Sequence, residues 1–352
     1  MSHDRSQRIP MAHLRSFGRN LLEAHGLSAA HAEIVEDNLL EADARGVRSH
    51  GHFVLPVYLQ RLRAGQINPR PVVRIVRETP ATLHVDGDRG PGAVAGRFTM
   101  QAVIAKAEHA GTAVGLARNS THFGAAAHFA VMALAHDMIG YAATNAGPSM
   151  FPFGGRTHVV GNNPLAYAIP AGRERPLVLD MAMSTVANGR VAIARRLGEM
   201  VPLGWILDKH GQSSANPADL FDGGAGAPVG GPKGIGLAQV IDALAGVLAG
   251  AAFGPAVARG KPGEPLGAIG HVFQAIAIEA FMPVAEFKQR MDEQIRGFHA
   301  AERVDAAQRI TVAGELEWER LDDARANGVL LLADVVADLN AAAAAAGSPD
   351  RL

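Results

Sequence analysis

Apolar residues in the first 65 positions recur every three or four residues, a spacing typical of amphipathic helices. This pattern predicts two helices within residues 8 to 46 and a third over residues 53 to 64. Ser28 suits the N-cap of the second helix, because its hydroxyl can accept a bond from a free backbone N–H. Pro56 falls near the first turn of the third helix, where its missing N–H is not needed.

Beyond residue 76 the pattern changes to short apolar runs separated by helical or glycine-rich stretches. A strand is predicted over Thr82 to Asp86, followed by a helix from Met100 to His109. Further strands are predicted at the apolar runs 112–117, 138–145, 164–169, 177–181 and 271–279. Such alternation of strands and helices indicates an α/β fold.

The C-terminal part is again helical in pattern, over residues 285 to 302 and 329 to 346. The simplest arrangement is a helical domain built from both chain ends around a central α/β domain. Residues 1–75 form its first part and residues 301–352 its returning part, while residues 76–300 form the α/β domain.

The most apolar stretch, Gly234 to Ala258, contains Gln239, Asp242 and Pro255. A transmembrane span needs about 20 apolar residues with few charges, so this stretch predicts a buried or amphipathic helix instead. The N-terminus lacks the long apolar run of a signal peptide. Together these features predict no membrane association and a cytoplasmic location.

Composition narrows the class of protein further. The chain has no cysteine, which excludes disulfides, thiolate metal sites and cysteine nucleophiles. Its net charge of -1, from 33 basic and 34 acidic residues, gives no overall field for binding nucleic acid. With 48% hydrophobic and 19% charged residues, the chain is globular rather than disordered.

Several standard catalytic motifs are absent. The glycines of Gly230–Gly236 lack the GxGxxG spacing of the Rossmann fold, and there is no P-loop. HExxH and GxSxG are absent as well, which argues against common metalloproteases and serine hydrolases. His50 and His52 lie one residue apart with no carboxylate within three residues, so no metal site is predicted.

The first candidate group is Arg48-Ser49-His50-Gly51, at the junction of the second and third helices. A histidine has an unperturbed pKa of about 6.5, which suits proton transfer near neutrality. Ser49 can bind a substrate or orient the imidazole. The alternative is that Ser49 and His50 only cap the third helix.

The second candidate group is Asn119 to Gly124, which follows a strand and precedes an alanine-rich helix. Ligand sites of α/β proteins lie in such strand-to-helix loops. His122 supplies a donor or acceptor there. The alternative is that Asn119 and Ser120 only cap the helix.

The remaining candidates are polar turns. Three follow apolar runs, namely Thr144-Asn145, Gly161–Pro164 and Asp180. A carboxylate at the end of a buried strand needs partners, so Asp180 either binds ribose hydroxyls or backbone N–H groups or caps the next turn. In Pro232-Lys233-Gly234, the lysine either reaches a phosphate at a helix start or lies solvated on the surface.

Taken in order, these motifs resemble the malate/L-lactate/L-sulfolactate dehydrogenase-like family of NAD(P)-dependent oxidoreductases. That family also includes ureidoglycolate dehydrogenase, 2,3-diketo-L-gulonate reductase and a Δ1-piperideine-2-carboxylate reductase. The resemblance covers nearly the whole chain. It rests on Ala42–Val47, Ser49–Gly51, Tyr58, Gly65–Asn68, Asn119–Gly124, Thr144–Asn145, Gly161, Asn163–Pro164, Asp180–Ala182, Pro202, Gly204–Trp205, Asp208, Gly211, Lys233–Gly234 and Gly314–Glu315.

The resemblance implies an NAD or NADP cofactor on a fold that is not of the Rossmann type, and a homodimer or larger homo-oligomer. His50 matches the family's proton donor or acceptor, His122 matches a second catalytic histidine, and Ser49 contacts the substrate. Cofactor contacts are implied for Asn145, Asn163, Leu179, Asp180, Met181, Ala182, Pro232, Lys233, Gly314 and Glu315.

Four positions depart from the family pattern, namely Arg48, Val54, Ala146 and Asn162, and Val54 bears most directly on the substrate. Many members have an arginine five residues after the serine that matches Ser49, and this arginine is expected to bind the substrate carboxylate. Val54 stands there instead and cannot make a charge-assisted contact. Substrate contacts are predicted for Tyr58 and for Arg48 or Arg156, one of which would hold the carboxylate. The alternative is that the substrate has a different polar group at this position.

These expectations define the predicted activity. It is hydride transfer between a nicotinamide cofactor and a small 2-hydroxy or 2-oxo acid, with His50 as the proton carrier. The alternatives are a cyclic imine reductase of the same family, a non-catalytic cofactor-binding homologue and a metal-dependent lyase. The predicted partners are a small-molecule substrate and a second copy of the chain, with neither nucleic acid nor membrane.

Overall fold

The fold comes from a computed structural model, which describes residues 6–257 and 266–352. The helices are α1 (Met11–Ala24), α2 (Ala29–Ala44), α3 (Leu55–Arg63), α4 (Gly92–Ala110), α5 (Ala126–Ala130), α6 (Asn188–Leu197), α7 (Pro232–Ile241), α8 (Val284–His299), α9 (Glu315–Asn327) and α10 (Ala333–Ala345). The strands are β1 (Ser6–Ile9), β2 (Arg74–Glu78), β3 (Thr82–Asp86), β4 (Thr112–Ser120), β5 (Met138–Thr144), β6 (Leu165–Ile169), β7 (Leu177–Met181), β8 (Ile206–Leu207), β9 (Ser213–Ser214), β10 (Ala225–Gly226), β11 (Ile269–Ala277) and β12 (Val329–Leu332). The predicted α/β class is confirmed.

Within the described ranges, seven strands form the main sheet, in the order β2-β3-β4-β11-β5-β6-β7. β3 and β4 are parallel and are connected by α4, whereas every other neighbouring pair is antiparallel. Because β4 and β5 both pair antiparallel with β11, they run in the same direction, and β7 shares that direction. All three therefore end at one edge of the sheet.

Both faces of this sheet are covered, which explains why its central strands are apolar on both sides. On one face Phe273 and Ala275 pack with residues of α4 and α5. On the other face Val272 and Ala143 pack with Ile235 and other residues of α7. A small sheet, in which β8 pairs with β9 and β10, lies outside the sequence prediction.

The two chain ends share one hydrophobic core. Leu14, Leu39 and Leu59, from α1, α2 and α3, are at most 1% exposed and pack in the same cluster as Leu339 of α10. β1 pairs antiparallel with β12, with Ile9 opposite Val329. The division into two domains, with its boundaries, stays a prediction.

The predicted helix over residues 329 to 346 is wrong at its start. Residues 329–332 form β12, and α10 begins only at Ala333. The physical reason is a distant partner, because β1 supplies the hydrogen bonds of a strand. An apolar run of four residues fits a strand or a helix equally well by itself.

Two more predicted helices differ at their ends. α3 begins at Leu55, after single 3₁₀ turns over Arg48–His50 and His52–Val54. α7 begins at Pro232 and continues as a π-helix over Asp242–Leu248. The predicted end of that helix, Ala258, lies outside the described residues. No helix in the described ranges is long and apolar enough to cross a membrane.

Candidate active site

A cavity of about 750 Å³ opens at the sheet edge where β4, β5 and β7 end. The last residues of β4 and β5, Ser120 and Thr144, line it together with Asp180 of β7. The end of α2, the side of α3 and the start of α9 close it from the helical part. Residues of all three polar turns named from the sequence line this cavity, namely Thr144, Asn145, Asn162, Pro164 and Asp180.

Ser49 and His50 lie in the 3₁₀ turn between α2 and α3, and both line the cavity. The Oγ atom of Ser49 lies 2.9 Å from Nδ1 of His50. Burial lowers the pKa of His50 below the ordinary 6.5. The imidazole is therefore neutral at neutral pH and is able to accept a proton.

His122 faces His50 across this part of the cavity. The two rings are stacked, with centroids 5.5 Å apart and an interplanar angle of 22°. Nδ1 of His122 lies 2.5 Å from the hydroxyl of Tyr58. Burial raises the pKa of Tyr58, so the phenol stays protonated and its O–H can donate a hydrogen bond to Nδ1. We therefore assign the proton of the neutral His122 ring to Nε2.

The surroundings of His122 oppose its protonation. Burial, together with the nearby His50 and Arg61, lowers the pKa of His122 to about 3. His122 thus stays neutral at any ordinary pH. Its Nε2–H can donate a hydrogen bond to a group in the cavity.

A buried cluster fixes the turn that holds Ser49 and His50. His52 lies between Glu36 and Asp43, with Nε2 3.1 Å from Glu36 Oε1 and Nδ1 2.8 Å from Asp43 Oδ2. Burial alone lowers the pKa of His52, but the two carboxylates outweigh it and raise that pKa to about 10. The backbone N–H of His52 also donates to Asp43. The turn is thereby tied to α2.

β11 contributes a second buried histidine that sequence analysis does not single out. Nδ1 and Nε2 of His271 each lie 2.8 Å from a hydroxyl oxygen, of Thr144 and of Ser120 respectively. Burial lowers the pKa of His271 to about 3, so it is neutral. It ties together the ends of β4 and β5. In the sequence His271 is a single polar residue at the start of an apolar run, and such a residue does not by itself predict a site.

Another part of the cavity is lined by paired charges that the sequence did not reveal. Glu41 lies 2.8 Å from Arg45 and 2.6 Å from Nδ1 of His128. Burial opposes its ionisation, yet His128 and Arg45 lower the pKa of Glu41 to about 2. The guanidinium of Arg45 also stacks over Trp318, 4.1 Å from the ring centroid.

Asp180 is accessible from the cavity beside these charges. Its carboxylate accepts a hydrogen bond of 2.9 Å from the backbone N–H of Ala127. The surrounding protein raises the pKa of Asp180 to about 6 by desolvation, against the effect of that hydrogen bond, and Glu317 raises it further. A polar group with spare acceptor capacity therefore faces the cavity.

Many of the residues predicted from the sequence line this cavity. They are Ser49, His50, Tyr58, His122, Asn145, Leu179, Asp180, Met181, Ala182 and Gly314. Asn145 is fully engaged by protein, since it donates to Asp242 and Ala252 and accepts from Gly270. Its role at the cavity is to hold the backbone in place.

The other predicted site residues do not line it. They are Arg48, Arg156, Asn163, Pro232, Lys233 and Glu315. Arg48 lines a neighbouring groove, and Arg156, Pro232 and Lys233 are exposed. The amide of Asn163 bonds the backbone of Ala146 and Ala238. The carboxylate of Glu315 bonds His299 and the N–H of Val312.

Arg61 is a cavity residue that the sequence analysis passed over. It lies one helical turn after Tyr58 on α3. The spacing of Val54, Tyr58 and Arg61 was the available signal, because residues three, four and seven apart share a helix face.

Known proteins of similar sequence include malate and L-sulfolactate dehydrogenases. The family model of malate/L-lactate dehydrogenase matches residues 9–340. Malate dehydrogenase of Pyrococcus horikoshii is 35% identical over 340 residues, which cover 95% of this chain and 94% of that protein. L-sulfolactate dehydrogenase of Methanocaldococcus jannaschii is 38% identical over 298 residues, covering 85% and 86%.

A solved structure shows the same fold. The crystal structure of malate dehydrogenase from Entamoeba histolytica matches with a TM-score of 0.95 and 29% sequence identity, and the match covers 99% of this chain and 100% of that one. Fold and cavity together define an α/β oxidoreductase. The chain belongs to the malate/L-lactate dehydrogenase family. The family and the class of enzyme predicted from the sequence are confirmed.

Proposed function

We propose that this chain transfers a hydride between NAD or NADP and a small 2-hydroxy or 2-oxo acid. The observation that carries the proposal is the stacked pair of His50 and His122 inside the cavity of a chain of this family. One histidine is suited to move a proton, and the other is suited to donate a fixed hydrogen bond.

The residues present fit a nicotinamide cofactor. The cavity, about 750 Å³ in volume, falls in the range of cofactor sites, and its walls are largely apolar. Leu179, Met181, Ala182 and Gly314 would hold the cofactor, and the carboxylate of Asp180 is free to accept from its hydroxyl groups. When bound, the cofactor supplies the hydride chemistry.

The chain itself handles the proton. During oxidation, neutral His50 accepts the hydroxyl proton of the substrate, and Ser49 orients the ring through Nδ1. During reduction, the protonated ring returns that proton to the developing alkoxide. The Nε2–H of His122 donates to the same substrate oxygen, because Tyr58 fixes this tautomer.

The proposed assembly is a homodimer located in the cytoplasm. An apolar strip on α7 and the π-helix that follows it supports the dimer, because Leu237, Val240, Val247 and Leu248 are between 45% and 63% exposed. Apolar surface of this kind commonly marks an interface.

The test is a panel of 2-oxo acids and cyclic imines, each assayed with NADH and NADPH. We expect a 2-oxo acid to give the highest kcat/KM. We further expect His50→Ala to lower kcat by about 10²–10⁴-fold, the usual contribution of a general acid or base. Binding of the reduced cofactor, measured by fluorescence, should be retained.

The matched control is His109→Ala, an exposed histidine near the end of α4, which we expect to leave turnover unchanged. Near-wild-type turnover of His50→Ala would exclude His50 as the proton carrier. Cofactor binding without oxidation by any acid or imine would favour a non-catalytic homologue. A preference for imines would move the substrate class to ketimines.

A further inference from the structure

Arg61 occupies the cavity-facing side of α3. Val54, Tyr58 and Arg61 all line the cavity, as expected for residues that share one face of a helix. At 1.5 Å per residue, Arg61 lies about 10 Å along the helix axis from Val54. Side chains on a helix lean toward its N-terminus, which is the direction of Val54 from Arg61.

The guanidinium of Arg61 is available to an anion. It forms no ion pair with any residue in the described parts of the chain, and its side chain is half-buried. It is close enough to Tyr58 and His122 to lower the pKa of both groups. A partly desolvated cation without a counter-ion favours a negatively charged ligand beside it.

Within residues 6–257 and 266–352, the other arginines do not offer such a charge to the cavity. Among the described lining residues, the second arginine is Arg45, and Glu41 already neutralises it at 2.8 Å. Asp180 and Glu317 lie near Arg45 and add negative charge there. Arg48 and Arg156, the two bases named from the sequence, lie outside the cavity lining.

We propose that Arg61 binds the substrate carboxylate in place of the arginine that Val54 replaces. The inference rests on the proposed function, since it takes a 2-oxo or 2-hydroxy acid as the substrate. A guanidinium can form two parallel hydrogen bonds with a carboxylate. That contact would orient the neighbouring carbonyl toward His50 and His122.

The first experiment measures kinetics of Arg61→Gln on the best 2-oxo acid and on its carboxamide. We expect KM for the acid to rise about 10- to 100-fold, as for a lost charged hydrogen bond. KM for the amide should change little, and kcat should fall less than KM rises. Arg61→Lys keeps the charge but cannot form two parallel hydrogen bonds with the carboxylate. Its KM for the acid should lie between those of the wild type and Arg61→Gln.

Arg63→Gln is the matched control, because Arg63 lies two residues further on α3 and is exposed away from the cavity. We expect this variant to behave as the wild type. Circular dichroism of each variant verifies that the helical content is retained.

The second experiment needs no turnover. Oxamate carries one carboxylate, and oxamide is its neutral analogue. We expect oxamate to bind the wild-type enzyme with NADH more tightly than oxamide, as seen by a change in cofactor fluorescence. Arg61→Gln should abolish that preference without changing the affinity for NADH.

Retention of the oxamate preference and of the wild-type KM in folded Arg61→Gln overturns the role of Arg61 but leaves the proposed function intact. The same holds if Arg48→Gln or Arg156→Gln loses the preference instead. If the wild type reduces no 2-oxo acid and binds no oxamate, the proposed function fails, and this inference fails with it.

Discussion

At the scale of single residues, the same side chain takes different roles because its surroundings differ. His52 lies between two carboxylates, which raise its pKa to about 10. Within the part of the chain that the structure describes, His122 and His271 have no acidic partner, and burial lowers the pKa of each to about 3. Burial lowers the pKa of His50 as well, and the hydroxyl of Ser49 lies 2.9 Å from its Nδ1.

This difference predicts the pH dependence of the reaction. In the proposed reaction neutral His50 accepts the proton during oxidation, so kcat/KM for a 2-hydroxy acid should rise with pH through the pKa of His50 and level off above it. Burial lowers that pKa, so the inflection should lie below 6.5. In the reverse direction kcat/KM should fall as pH rises through the same value.

Asp180 also titrates in this region, since its pKa is raised to about 6. The pH profile of Asp180→Asn separates the two groups, because the inflection of His50 should persist in that variant. An inflection above 6.5 in the oxidation profile, or its loss in Asp180→Asn, would contradict the assignment.

At the scale of elements, the junction of α2 and α3 positions Ser49 and His50 at the cavity. Neither 3₁₀ turn at the junction has a side-chain cap. The backbone N–H of His52 donates to Asp43 of α2 and so holds the junction in place. Gly51 lies directly under this contact. A Cβ atom added there would lie 2.0 Å from Oδ1 of Asp43, so the carboxylate would have to move.

We therefore predict that Gly51→Ala lowers kcat by about 10²-fold, because a shift of roughly 1 Å in the turn misplaces His50. The free energy of unfolding should fall as well, by about 1–3 kcal/mol. Steady-state kinetics and urea denaturation measure the two effects.

Gly297→Ala is the matched control. Gly297 lies inside α8 with no atom within 4 Å of an added Cβ, so alanine should raise the free energy of unfolding by about 0.5–1 kcal/mol. Wild-type kcat in Gly51→Ala would show that the junction tolerates movement of Asp43.

At the scale of the whole molecule, residues far apart in sequence support the helices on either side of the turn that holds Ser49 and His50. α10 packs into the core formed by α1, α2 and α3, and β12 pairs with β1. The C-terminal residues therefore help to hold α2 and α3, which line the cavity. Loss of this packing should weaken the enzyme without touching any residue of the site.

Leu339 of α10 is fully buried in that core. We predict that Leu339→Ala lowers the free energy of unfolding by about 2–5 kcal/mol, from lost burial and the remaining cavity. Val304→Ala is the control, because Val304 is fully exposed and should change stability by less than about 0.5 kcal/mol. An equal effect of the two substitutions in thermal or denaturant unfolding would exclude a shared core.

The sequence by itself determined the α/β class, most strand positions and the family, because these depend on local periodicity and on short motifs in order. It also named Ser49, His50, Tyr58 and His122 as candidate site residues, and all four line the cavity. Only the tertiary structure showed β12, the partners of His52 and the position of His271. Each of these depends on groups brought together from distant segments, such as the pairing of Ile9 with Val329.

Charge at the cavity was likewise decided by tertiary structure. In the sequence Arg45, Arg48, Arg61 and Arg156 are equivalent cations. Folding pairs Arg45 with Glu41, places Arg48 and Arg156 outside the cavity lining, and leaves Arg61 beside His122. Motifs record which residues are present, but burial and neighbours set the protonation and availability on which the chemistry depends.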